Sequence, residues 1–388
     1  MKYNFDEPIN RRNTNSVKWD FFHEDVLPMW VADMDFKIAP EIQKALSEKS
    51  ASGLMGYQFT GVEFKTSAIN WMQKYHQFQI KEENILPVPG VLVGISAIIT
   101  TFFCEADKVI LQPPVYDHFF ETVKNSGAEL LCNDLIYDEN SYKINFEDFE
   151  EKAKDPKTKF LIFCNPHNPV GKVWTENDLR KIAHIASQNG IIVISDEIHS
   201  DLVFSGNKHI PFAKIAKDYN LISYTLASPC KTFNLSGLSS GYIVSENFTE
   251  LLMIQKTLQK QETEWLNPFC SAAFIAAYNS GHRWMEAVKE YLYENYLLAE
   301  TFIKENITEV HVVPSESTYL IWIDCKKLNQ SSNVLEKRLI AESKLKLNSG
   351  TRYGAAGEGF LRMNIACRKE ILLDGLTRLR SFVNNQRK

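Results

Sequence analysis

Lys231 stands among small and apolar neighbours in Ser228-Pro229-Cys230-Lys231-Thr232-Phe233-Asn234-Leu235-Ser236-Gly237-Leu238. An ammonium in that setting is poorly solvated, its pKa falls, and the free amine becomes a nucleophile that can form a Schiff base with an aldehyde. An ordinary turn lysine has the same local sequence. What favours the first reading is the apolar run Leu221 to Ala227 just upstream, which reads as a buried strand delivering Lys231 to its carboxyl end. Open α/β sheets hold their ligands at that edge.

Other residues fall at the same edge. Asp196 ends the β-branched run Ile191-Ile192-Val193-Ile194-Ser195 and precedes Glu197-Ile198-His199. A buried carboxylate is costly unless paired, so Asp196 calls either for a cationic partner, such as a protonated pyridine nitrogen, or for a helix N-cap role. Asn168, between two prolines after the run Phe160 to Cys164, can donate an amide hydrogen bond into the crevice or simply make a turn. In Val88-Pro89-Gly90-Val91-Leu92-Val93-Gly94 a glycine precedes a helix whose first N–H groups would bind a phosphate. Tyr116, after Pro113-Pro114-Val115, can lay its ring on a planar group or merely pack. Arg362, inside the apolar strand Phe360-Leu361-Arg362-Met363-Asn364-Ile365, needs a carboxylate or phosphate ligand, or a salt bridge within the protein, because arginine keeps its charge.

The elements that position these residues follow from periodicity. Residues 1 to about 35 read as an irregular arm, in which Trp19 and Trp30 beside Asp33 and Asp35 suggest packing on another part of the chain. Helices are expected from Pro40 to about Lys49, Glu63 to about Tyr75 and Val91 to Phe103, with Tyr57 on the glycine-marked loop between the first two. Lys108 to Leu111, Leu130-Leu131, Phe160 to Cys164, Ile191 to Ser195 and Gly241 to Val244 read as strands. Thr175-Glu176-Asn177-Asp178 resembles a capping box, with Asp in the usual Glu position, before a helix that Gly190 closes. Runs apolar on both faces and spaced by helices predict a doubly wound α/β domain with a mostly parallel sheet. After Gly281 the texture changes to a long helix near Arg283 to Asn306, strands around Val312 and Tyr319 to Ile323, a helix near Asn333 to Ser343 and the strand Phe360 to Asn364. That is a smaller α+β domain.

At 388 residues the chain exceeds what one core usually supports, so two domains are expected. We divide it into 1–45 as an N-terminal arm and part of the small domain, 46–282 as the large domain and 283–388 as the small C-terminal domain. A net charge of -5 without a long basic run points away from nucleic acid and anionic membrane and toward a small ligand. Seven scattered cysteines without a C-x-x-C pair fit reduced thiols in the cytoplasm. No run is apolar enough to span a bilayer, and the polar first fifteen residues lack a signal-peptide core.

Asn165-Pro166-His167-Asn168-Pro169-Val170-Gly171, Ser195-Asp196-Glu197-Ile198-His199, Ser228 to Asn234 and Phe360 to Asn364 occur in the order and spacing of a known family. In these motifs the chain resembles the fold-type I pyridoxal-phosphate (PLP) enzymes of aminotransferase class I/II, over nearly its whole length. Leu27-Pro28-Met29-Trp30-Val31-Ala32-Asp33-Met34-Asp35-Phe36, Pro113 to His118 and Lys231 to Leu235 are similar to the cystathionine β-lyase and cysteine C-S lyase branch.

The resemblance implies that Lys231 bonds the cofactor and Asp196 keeps its pyridine nitrogen protonated, with Asn168 and His199 near the ring hydroxyl. It implies that Tyr116 stacks on the ring, that Val91, Leu92 and Ser228 hold the phosphate, and that Arg362 clamps the substrate carboxylate. Tyr57 would reach the phosphate from a neighbouring subunit, which implies a homodimer with shared active sites. Cys230 departs from a common serine, and Ser239 stands where many aminotransferases carry a phosphate-binding arginine. The implied activity is β-elimination on L-cystathionine, cystine or related cysteine conjugates, giving pyruvate, ammonia and a thiol. Amino transfer through the same α-carbanion is the alternative, and a lyase doubling as a regulatory binding protein is a third.

Overall fold

The computed structural model describes residues 3–139 and 141–386, so the outer limits of the first and last expected domains lie outside the described residues. Seven strands form the central sheet: β1 (Ile85–Val88), β2 (Lys108–Leu111), β3 (Glu129–Cys132), β4 (Thr158–Cys164), β5 (Ile192–Asp196), β6 (Ser223–Ala227) and β7 (Gly241–Val244). Their order is β1-β7-β6-β5-β4-β2-β3. All run parallel except β7, which is antiparallel to both its neighbours. The sequence runs apolar on both faces because both faces are covered. In β4, Phe160 and Ile162 join a cluster with Ile95, Ile98 and Leu251 from helices on one side, while Leu161 and Phe163 join Phe149, Leu179 and Ile182 on the other. This is the fold-type I architecture that the motifs imply.

A second sheet of four antiparallel strands, β8 (His311–Val312), β9 (Leu320–Asp324), β10 (Asn348–Ser349) and β11 (Phe360–Asn364), has the order β8-β9-β11-β10. The helices His282–Asn306 and Lys369–Asn385 bury apolar faces in the same cluster as Leu320, Ile321 and Met363 of this sheet.

The arm is more ordered than its composition predicts. It contains a one-turn helix, Val17–Asp20, whose first turn Ser16 caps, and Leu27–Pro28 pairs in parallel with Leu345–Lys346. Its paired aspartates hold it closed. Asp35 accepts from Arg11 at 2.8 Å, Trp19 at 2.7 Å and the buried Lys18 at 2.8 Å, while Asp33 accepts from Arg11 at 2.7 Å. Such a network satisfies four charges that would otherwise be expensive to desolvate.

Elsewhere the expected elements shift by one or two residues. The first two expected helices are Pro40–Ala51 and Val62–His76, and the strand before Lys231 begins at Ser223, after the exposed Ile222. The capping box is present in full, with Thr175 and Asp178 each accepting the other's backbone N–H. Among the helices that the sequence reading did not single out, Phe248–Lys260 packs on the large sheet and Pro268–Ser280 against Pro40–Ala51.

Candidate active site

Besides the segment after β2 that carries Tyr116, four chain segments leave the carboxyl ends of parallel strands at the same edge of the sheet. They follow β1, β4, β5 and β6, and between them lies a cleft of about 240 Å³ bordered by Val91, Leu92, Tyr116, Asn168, Asp196, His199, Ser228 and Lys231. Of the site residues expected from the sequence, these eight line one cavity. Arg362 borders the continuation of the cleft outward, which Tyr116 and Lys231 also line. Tyr57 is not brought there. It lies on the loop before Val62–His76, 92% exposed, with its ring centre 6.0 Å from that of Trp265.

Lys231 donates from Nζ to the Ala32 carbonyl at 2.9 Å and to Ser236 Oγ at 3.2 Å. No carboxylate pairs with it among the described residues. Burial therefore pulls its pKa down, with the nearby Arg362 charge pulling the same way and Cys230, Asp33 and Asp196 opposing. The surface-turn reading of Lys231 is thus not what the fold gives. Its loop is pinned from below by Asp201, which accepts from Thr232 at 2.9 Å, Trp71 at 2.9 Å and His76 at 2.8 Å.

Asp196 partly fulfils both of its expected roles. One oxygen accepts the Ile198 N–H at 3.0 Å, as a capping residue would, while the other has no protein partner among the described residues. Burial pushes its pKa up to about 7, the Ile198 N–H opposing that rise. A carboxyl so placed is half ionised at neutral pH, and a cation at its free oxygen would hold it ionised. His199 is buried, its Nδ1 has no partner among the described residues, and burial pulls its pKa down to about 3. It is a neutral imidazole with an unused nitrogen.

The helix Val91–Phe102 begins after Gly90, which has φ 135° and ψ 151° and makes no side-chain cap. The N–H groups of its first turn are left for a ligand. Ser228 is near them, but its hydroxyl donates to the Ser240 carbonyl at 2.5 Å and accepts from the Cys230 N–H at 3.0 Å.

Arg362 is 4% exposed and has no ion-pair partner among the described residues, which removes the salt-bridge reading. One terminal nitrogen donates to Asn168 Oδ1 at 3.1 Å, the other to the Trp30 carbonyl at 2.9 Å, and its guanidinium lies 4.8 Å over the Tyr353 ring. Nε is buried without a partner among the described residues. The Arg362 contact takes up the oxygen of Asn168 and leaves the amide nitrogen for the cleft.

Sequence reasoning missed Ala32, Ser236 and Tyr353. Ala32 acts only through its carbonyl, which no residue type signals. Tyr353 lies in a short turn without periodicity, and only its place after a strand of the small sheet could have drawn attention to it.

The chain matches the model of the family described as aminotransferase class I and II over residues 24–378. It is 38% identical to cystathionine β-lyase PatB of Bacillus subtilis (strain 168), over 98% of this chain and 100% of that protein. Among solved structures, it is similar to a Clostridium difficile 630 protein provisionally classed as an aminotransferase and solved with PLP bound. That likeness has a TM-score of 0.96 and 38% identity, over 99% of this chain and 100% of that one. Cystalysin from Treponema denticola, whose structure contains PLP, gives a TM-score of 0.96 and 30% identity over the same shares.

Proposed function

Because the chain belongs to the aminotransferase class I and II family, we propose from its cleft that it is a PLP-dependent C-S β-lyase, cleaving cystathionine, cystine or related cysteine conjugates to pyruvate, ammonia and a thiol. The observation that carries the cofactor assignment is the set of unmet needs in the cleft. Lys231 is an amine without a counter-ion, Asp196 has a free oxygen awaiting a cation, and the first turn of Val91–Phe102 awaits an anion. PLP offers an aldehyde, a basic ring nitrogen and a phosphate, so the residues fit it.

On this reading Lys231 would bond the aldehyde, Asp196 would hold a proton on the ring nitrogen, and Asn168 and His199 would serve the ring hydroxyl. Tyr116 would pack on the ring. Val91 and Leu92 would offer backbone N–H groups to the phosphate, and Ser228 would join them by turning its hydroxyl from the Ser240 carbonyl. When bound, PLP supplies an electron sink for charge developing at the substrate α-carbon. Arg362 binds the substrate α-carboxylate through its planar fork, whose angle Asn168 and Trp30 fix. Lys231, freed as the substrate amine takes its place and with its pKa drawn down by burial, takes the α-proton at Nζ. Departure of the β-thiolate completes the elimination, and water then hydrolyses the released aminoacrylate to pyruvate and ammonia.

The similarity to cystathionine β-lyase PatB over the full length supports elimination as the outcome. Amino transfer is the second reading, and the provisional class of the Clostridium difficile protein favours it. Ser239, at φ 43° on the cleft wall, provides no cationic phosphate ligand there. We place the protein in the cytoplasm as a homodimer, the first supported by seven free cysteines and the second by the exposed aromatics around Tyr57.

The deciding experiment incubates purified protein with L-cystathionine and no keto acid. Pyruvate and free thiol are expected in equal amounts, with little glutamate formed from alanine and 2-oxoglutarate. Brisk amino transfer with no pyruvate would make the protein an aminotransferase.

A further inference from the structure

We propose that Arg352 and Asp117 form a distal subsite at the mouth of the cleft, where they recognise the far carboxylate and ammonium of a thioether or disulfide bearing a second amino-acid head. The inference rests on the lyase reading and narrows its substrate class. Outward from Lys231 and Arg362 the cleft opens into a chamber whose wall includes Asp117, His118 and Arg352. Arg352 Nε donates to Asp117 Oδ2 at 2.5 Å, and the two side chains are 45% and 18% exposed.

Two observations separate this pair from an ordinary surface ion pair. Asp117 occupies the N-cap position of the helix His118–Ser126, where aspartate usually accepts a helix N–H, yet its side chain makes no capping bond. It turns across the chamber instead, to a residue far along the chain. Arg352, for its part, uses only Nε, so both terminal nitrogens lack a protein partner among the described residues. A guanidinium edge and a carboxylate oxygen are both left for a ligand.

The backbone fixes this pair relative to the inner site. Tyr353, the residue after Arg352, underlies Arg362 and accepts the Val115 N–H at 2.9 Å, while Asp117 follows Tyr116. The other opposite charges on the chamber wall, Arg11 and Asp33, differ in that both terminal nitrogens of Arg11 are committed, one to the Met34 carbonyl and Asp35, the other to Ser16 and Asp33. Arg352 and Asp117 are therefore the outward pair with capacity to spare. In cystathionine and cystine a four-atom bridge separates the α-carbons, so the far carboxylate and ammonium project beyond the reacting half.

The test compares two thioethers with one distal charge each, S-(2-carboxyethyl)-L-cysteine and S-(2-aminoethyl)-L-cysteine, by pyruvate release. Arg352→Ala should lower the ratio of carboxyethyl to aminoethyl kcat/KM at least tenfold, mainly through KM, because a contact remote from the reacting bond affects binding and transition state alike. Asp117→Asn should move the ratio the other way. Raised salt should shrink the preference in the wild type, as for any half-exposed charge. Pyruvate from both substrates with an unshifted ratio in both variants would overturn the subsite alone. If wild-type protein releases no pyruvate from either thioether, the lyase reading falls and the subsite with it.

Discussion

A carboxyl group that is buried, hydrogen-bonded on one side and bare on the other is a liability until a cation arrives, and Asp196 is that group. Its folded pKa, pushed up to about 7, lies above its ordinary value of 3.8. In protein stripped of cofactor the folded state therefore binds the proton more tightly than the unfolded one, and the contribution of Asp196 to stability falls as pH rises from about 4 to about 7. His199 and His167, pulled down from 6.5 to about 3 and about 4 by burial, act in the opposite sense over most of this range, up to about pH 6.5. The total slope consequently mixes several groups, and a difference measurement isolates the carboxyl. Cofactor-free Asp196→Asn should gain on wild type across that window by up to about 4 kcal/mol, some three pKa units at 1.36 kcal/mol each. Denaturant midpoints at pH 4.5, 6 and 7.5 would read this directly. Parallel curves for the two proteins would show that Asp196 is not the strained group. With a protonated ring nitrogen beside it, wild type should recover the deficit.

At the scale of elements, the site depends on backbone ends more than on side-chain identity. Gly90 delivers the chain to the first turn of Val91–Phe102 at φ 135°, a conformation essentially closed to residues with a Cβ. A Cβ built there meets nothing within 4 Å, so Gly90→Ala would act through the backbone alone. It should cost about 1–3 kcal/mol of stability and, by re-aiming the free N–H groups, weaken phosphate retention. Dialysis followed by absorbance of the retained cofactor measures this. Full retention with an unchanged melting temperature would leave Gly90 no special role.

The same dependence on backbone explains what the sequence made legible. Strands such as β4, β5 and β6 are readable because apolarity on both faces leaves one interpretation, and Asn168, Asp196 and Lys231 are found by where those strands end. Arg362 is legible because an arginine in an apolar strand has few physical explanations. Ala32 is not legible, since its carbonyl bonds Lys231 while its methyl group carries no message. The order within the arm is hidden for a related reason, because Asp33 and Asp35 find Arg11 and Lys18 through a turn that no periodicity announces. Pro268–Ser280 is nearly uniform in small and apolar residues, so it lacks the one-sided pattern that marks a surface helix.

For the whole molecule, the feature that the single chain leaves unexplained is the aromatic loop. Tyr57 is 92% and Phe59 88% exposed, beside the half-exposed Trp265. Contiguous apolar surface of this kind usually marks a contact site, and in a twofold dimer the same patch serves both subunits. On the proposed dimer, Tyr57 enters the partner's cleft and completes its phosphate site, so neither chain holds a whole active site. Mixing Tyr57→Ala protein with Lys231→Ala protein under subunit-exchange conditions should then restore activity that neither parent has. Each heterodimer combines the intact lysine of one chain with the intact tyrosine of the other at one site of two. Random exchange thus gives about a quarter of the wild-type rate per dimer. Sedimentation at assay concentration should show two chains per particle. A monomer with full activity, or a mixture no more active than its parents despite proven exchange, would place Tyr57 outside the site and leave the aromatic loop to some other contact.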